Sequence, residues 1–266
     1  MVINKPVIGV AAAVVLIAAG TWYYLQSRHE AAPPPVATAP PPAPPAEPAE
    51  PAIQHPVPEG EGAALKGPLP TLADSDAAIS DALGQLVGAA AMTDYWLSDG
   101  VVRRVVVTID NLPRPKAALQ KRPTGTVAGA FMVNGDELHA TLDPRNFVRY
   151  QPWVAVVDRL DMRQLAAVYV HFYPLFQEAY QGLGYPNGYF NDRLVQVIDH
   201  LLATPQPAQP IAMIRPNVMY TFADPGLESR SAGQKLLIRM GPENAKVIKA
   251  KLTELRAAIT AAPPKR

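Results

Sequence analysis

The chain has 266 residues, 30 prolines, no cysteine and a formal net charge of +1. The lack of cysteine excludes disulfide staples, thiol nucleophiles, thiolate zinc sites and thioether-linked haem, and suits an oxidising compartment. A charge so close to zero gives no whole-chain field for a polyanion, so no nucleic-acid partner is expected.

Residues 1–5 form a short tail ending in Lys5. From Pro6 to Leu25 the chain is uncharged, "PVIGVAAAVVLIAAGTWYYL". About 20 apolar residues cross a bilayer core as a helix, and Trp22, Tyr23 and Tyr24 fall where amphipathic rings favour the headgroup level. Residues 6–25 therefore read as a transmembrane anchor, with the lipid bilayer as partner and the bulk of the chain outside. The rival is a cleaved signal peptide with Ala18 and Gly20 at its small-residue site. The anchor is preferred because the apolar run continues past that site to Leu25.

Residues 26–70 read as a disordered linker of proline, alanine and glutamate. Of the 30 prolines, 14 lie between Pro33 and Pro70, and such a tract buries too little apolar surface to offset the entropy of ordering. It suits a spacer in extended polyproline conformation, rising about 3.1 Å per residue. His55, inside the tract, is expected to be solvated.

Residues 71–262 supply a mostly helical domain with a small β-hairpin, followed by a tail, 263–266. Asp74 and Ser75 are candidate caps for a helix carrying Ile79, Leu83, Leu86 and Val87. Val101, Val102, Val105, Val106 and Ile109 make a helical face, closed off by Pro113. "FMVNGDELHATL" alternates around Asn134-Gly135, a hairpin signal. "IAMIRP" and "YTFADPG" read as extended connectors or a second small β element. Ser231 with Gln234 forms a capping box. Gly241 and Pro242 punctuate the start of a last helix, whose Lys246, Lys249 and Arg256 line one side as a basic stripe or a solvated face.

The stretches "YPLFQEAYQGLGYPNGYFNDRLVQVIDHLLATP" and "SAGQKLLIRMGPENAKVIKAKLTELR", with "TIDNLPRPK" and "NFVRYQPWVAVVDRLD" upstream, resemble the uncharacterised bacterial domain-of-unknown-function family 3014 (DUF3014) over about residues 70–260. The resemblance implies a membrane-anchored envelope protein and supplies no reaction and no catalytic residue.

The aromatic-rich run 169–200 is the natural place to look for a site. Tyr169, Phe172, Tyr173, Phe176 and Tyr180 recur every three or four residues, the stripe of a buried helix face. Phe190, Leu194, Val197, Ile198 and Leu201 make a second stripe, with "GLGYPNG" as the turn between. Pro174 predicts a kink, and His171 lies off the stripe. Asn191 reads as an N-cap. Asp192, Gln196 and Asp199 share one face and Arg193 and His200 the neighbouring one, so Asp192, Asp199 and His200 are the candidate catalytic groups. Tyr173, Tyr180, Tyr185, Tyr189 and Arg193 are the candidate binding groups, through hydroxyls that need partners when buried. His139, His171 and His200 sit on separate elements, and no metal or cofactor motif is present, so neither is expected.

The function expected from these features is a tethered binding or scaffold module in the bacterial periplasm, held at the inner membrane by a single span, with envelope proteins or cell wall as partners. The alternative is an envelope or cell-wall hydrolase using Asp192, Asp199 and His200. An enzyme gathers those side chains in one pocket, whereas a scaffold scatters or pairs them.

Overall fold

Helical spacing of apolar residues sets the main elements. A computed structural model describes residues 52–58, 68–97, 99–136 and 138–260, all within one body, Glu50–Arg266. The apolar run 6–25, the tails 1–5 and 263–266, and most of the linker lie outside the described residues. Among the described residues no helix is long and apolar enough to cross a membrane.

The helices are α1 (Asp76–Val87), α2 (Ala89–Tyr95), α3 (Val101–Asn111), α4 (Arg145–Arg159), α5 (Met162–Gly182), α6 (Phe190–Leu202), α7 (Pro225–Glu228), α8 (Ala232–Arg239) and α9 (Pro242–Ile259). Two antiparallel strand pairs complete the described fold: β1 (Val133–Asn134) with β2 (Thr141–Leu142), and β3 (Met213–Ile214) with β4 (Thr221–Phe222). The domain is mainly helical with small hairpins, as its sequence implies.

The long α5 is central. It packs against α1, α3 and α9, and α9 also packs against α4 and α6. Val101, Val102 and Val106 of α3 are each only 1 % exposed. That burial explains how a β-branched run holds a helix against its propensity. The core continues through Phe172, Phe176 and Tyr180 of α5, Phe190 and Ile198 of α6, and Ile259 of α9. A second cluster gathers Leu142, Ile211, Met213 and Phe222 around the hairpins, with Ile238 of α8. Val197, Leu201, Leu237 and Met240 form a third between α6, α8 and α9.

Several local expectations are corrected. Ser75 precedes α1, but its hydroxyl donates to the Leu72 carbonyl and does not cap the helix. Asp76 instead accepts from the N–H groups of Gly100 and Val101 and caps α3 across the fold. The first hairpin has no tight Asn-Gly turn, because Asn134 pairs with Thr141. The longer loop is organised by Asp136, which accepts from the N–H groups of Leu138 and His139. Helix α5 runs on through Pro174. The capping box is half formed: Ser231 accepts from the Gln234 N–H, while the Gln234 amide donates to the His200 carbonyl.

Gly241 leads into α9 at φ +89°, and a Cβ there would lie 2.5 Å from the Phe147 ring. Both the backbone sign and the contact require glycine. Gly241→Ala is expected to cost about 1–3 kcal/mol or more from strain and overpacking, read as a lower midpoint in denaturant titration.

Candidate functional site

Aromatic stacking builds the floor of the aromatic-rich region. The Phe176 and Phe190 rings stack at 5.9 Å with planes 4° apart, and Tyr169 and Tyr180 tilt against Phe190 at 6.4 and 5.4 Å. Of the second stripe, Phe190, Leu194 and Ile198 share one core with the first across the turn 183–189, while Val197 and Leu201 turn to α8 and α9. The Gln177 side chain secures that turn. Its oxygen accepts from the Phe190 N–H, and its nitrogen donates to the Gly188 carbonyl.

Asn191 is not the N-cap. The helix begins at Phe190 after Tyr189, and Asn191 is fully buried. Its oxygen accepts from the Tyr169 hydroxyl at 3.0 Å. Its nitrogen donates to the Ile259 carbonyl at 3.1 Å and to the His55 carbonyl at 2.8 Å. Tertiary partners have taken an amide that local sequence assigns to capping.

The candidate catalytic groups go to three different places. Asp192 accepts from the backbone N–H groups of Gln54 and His55 at 3.0 and 2.6 Å. Asp199, two turns or about 10 Å further along the axis, takes Arg256 of α9 through Nε and a terminal nitrogen at 2.6 and 3.0 Å. The Arg256 hydrogen bonds hold the Asp199 carboxyl below the usual range. His200 Nε2 lies 2.8 Å from Ser231 Oγ at the start of α8.

The candidate binding groups divide similarly. Arg193 reaches Asp110 of α3, a carboxylate only 1 % exposed, with Nε–Oδ1 at 3.1 Å and a second bond to the Asp110 carbonyl at 2.9 Å. Arg114 meets the other Asp110 oxygen at 2.5 Å, and the Tyr185 hydroxyl lies 3.1 Å from Arg114. Tyr185 also stacks on Tyr180 at 4.6 Å. The Tyr173 hydroxyl donates to Gln177 at 3.0 Å, and burial raises its pKa, so it stays a neutral donor. Tyr189 turns its hydroxyl to the Val57 N–H, which it accepts at 3.0 Å.

Residues 54–58 are thus laid against the domain. The linker expectation covered them, and His55 is half-buried where a solvated side chain was expected. The basic stripe on α9 is partly committed too, since Lys249 donates to the Thr204 carbonyl and Arg256 pairs with Asp199.

An apolar cavity of about 170 Å³ lies between α1, α3, α5 and α6, lined among others by Leu83, Trp96, Val105 and Leu165. Asp192, Asp199 and His200 do not line it. Among the described residues no group of three or more histidine, aspartate or glutamate side chains is placed to hold a metal ion.

The sequence family described as "Protein of unknown function (DUF3014)" matches residues 101–256. The chain belongs to the DUF3014 family. Its matched region runs from the first residue of α3 almost to the end of α9, so it takes in α5, α6 and both hairpins. No curated protein and no solved structure matches the chain. The docked segment at 54–58 lies outside the family match.

Proposed function

We propose that this DUF3014 protein is a non-catalytic binding or scaffold module of the bacterial envelope, tethered to the inner membrane by residues 6–25 with its domain in the periplasm. One observation carries the non-catalytic reading. Asp192, Asp199 and His200 are each committed to a different partner: a docked backbone, an arginine and a serine hydroxyl. Acid–base catalysis needs such groups within reach of one reacting atom. The uncharged run after Lys5 and the closing aromatics support the tether.

Two measurements test this. A reporter active only outside the cytoplasm, fused after Arg266, is expected to be active and to stay with membranes after a salt wash. A soluble full-length product overturns the tether. The double variant Asp199→Asn, His200→Gln is expected to fold and to complement a deletion strain, and a folded variant that fails to complement points back to hydrolysis.

Asp199 also makes a small pH prediction. Its folded pKa is depressed, so it stabilises the fold above the unfolded value, and that contribution fades as pH falls through the carboxylate range. With the carboxylate half exposed, the Asp199–Arg256 pair is worth under about 1 kcal/mol. Asp199→Asn is therefore expected to narrow the gap between melting temperatures at neutral and acid pH by a few degrees at most.

A further inference from the structure

The segment Gln54–Pro58 makes its hydrogen bonds to the domain through its backbone. Gln54 and His55 donate their N–H groups to the two oxygens of Asp192, Val57 donates to the Tyr189 hydroxyl, and the His55 carbonyl accepts from Asn191. The residues between and after, Pro56 and Pro58, have no N–H to satisfy. Every backbone donor from Gln54 to Pro58 therefore has a partner on the domain, and proline stands where the domain offers none. Val57 is half-buried and Pro58 buried, while Ile53 is 55 % exposed, so the seated portion begins at Gln54.

The receiving side is built for this. Asn191 is fully buried and held in place by Tyr169 and Ile259, with its remaining reach directed at the segment. Gln177 fixes the turn ahead of α6. Both Asp192 oxygens face the segment. The side chains of the segment itself make none of these four bonds.

We propose that the Tyr189–Asn191–Asp192 face is a peptide-binding site. Its ligand is an extended segment of a partner protein, with two free N–H groups followed by Pro-X-Pro. Residues 54–58 occupy the site in cis as a removable strap. This deepens the binding-module reading and rests on it. Main-chain hydrogen bonds give such a site its affinity, and the half-buried His55 and Val57 and the buried Pro58 mark the positions where side chains add selectivity. Because the segment belongs to the same chain, it meets the site at a high effective concentration, so the site is closed until a competitor opens it.

The test uses the full chain in detergent and a labelled probe peptide, Ala-Ile-Gln-His-Pro-Val-Pro, followed by fluorescence anisotropy. The strap is opened by the double substitution Gln54→Pro, His55→Pro, which removes both N–H groups that Asp192 accepts and leaves the domain sequence intact. The opened variant is expected to bind the probe at least ten-fold more tightly than the unmodified chain. Adding Asp192→Asn to the opened variant, or N-methylating the probe at its histidine, is expected to weaken binding at least ten-fold. In the unmodified chain, the amides of Gln54 and His55 are expected to exchange slowly with solvent and to speed up on Asp192→Asn. Equal probe binding to opened and unmodified chains overturns the strap. No binding to the opened variant at several millimolar probe overturns the site. Conversion of the opened variant to a dimer, seen by light scattering, assigns the face to a second copy of the chain and overturns a separate partner. Any of these failures, alongside a complementing Asp199→Asn, His200→Gln variant, leaves the non-catalytic reading standing.

Discussion

Phe190→Ala is expected to lower stability by about 3–5 kcal/mol, the usual loss for a buried aromatic truncated to alanine. Phe190 is fully buried and meets three other rings: Phe176 stacked, and Tyr169 and Tyr180 tilted. The truncation removes burial and ring contacts together, and its neighbours cannot collapse easily. Tyr169 is held to Asn191 and the Phe190 backbone to Gln177. For a domain near 190 residues, 1 kcal/mol shifts the melting temperature by about 2–4 °C, so the expected drop is roughly 10 °C. Phe176→Ala acts on the same stack from α5 and falls in the same range, because Phe176 is also buried. The two changes share a contact, so their effects should not add, and a double-mutant cycle measures the coupling. Calorimetry on the two single variants and the double checks both points. A cost under 1 kcal/mol for Phe190→Ala contradicts its place in the core.

The second large effect is electrostatic. Asp110 is buried and balanced by two arginines and a tyrosine hydroxyl. Arg193 is the deeper of the two cations, its side chain 21 % exposed against 51 % for Arg114. Arg193→Met removes the better-shielded partner and leaves a buried carboxylate with one solvent-facing cation. Removing one member of a buried pair costs about 3–5 kcal/mol, and the remaining Arg114 places this case toward the lower end. Replacing both charges, Asp110→Asn with Arg193→Met, is expected to recover much of the loss, since no uncompensated buried charge then remains and Arg114 is half exposed to solvent. Urea titrations of the three variants decide it. If the double variant is less stable than Arg193→Met alone, the cost comes from packing and not from the stranded charge.

The parts of the fold legible in the sequence are those carried by period. Tyr169, Phe172, Phe176 and Tyr180 announce one wall of the core by spacing alone, and Leu194 and Ile198 part of the other, whereas the turn of Val197 and Leu201 toward α8 and α9 is not in the spacing. Punctuation was legible where geometry is local, as at Gly241-Pro242. Long-range pairing was not. Asp199 and Arg256 are 57 residues apart, and no local pattern says that they meet. Asp110 sits in a helix chosen for its valines, and its burial follows from Arg193 across the fold. Asn191 looked like a cap because short amides favour that position locally, and three tertiary partners overrode it. The strap was hidden by composition: proline, alanine and glutamate dominate its neighbourhood. Its one signal is that Ile53, Gln54, His55 and Val57 interrupt that repeat.

Asn191 has one more consequence. Its single amide nitrogen donates both to His55, near the first described residues, and to Ile259, at the close of α9. The two carbonyls can be no further apart than the sum of those bonds, so the first and last described segments are neighbours. Neighbouring ends permit circular permutation. A permuted gene that joins Thr260 to Ala52 through a few glycines, and opens the chain in the exposed loop at Pro115–Lys116, should encode the same helical body with the strap covalently closed.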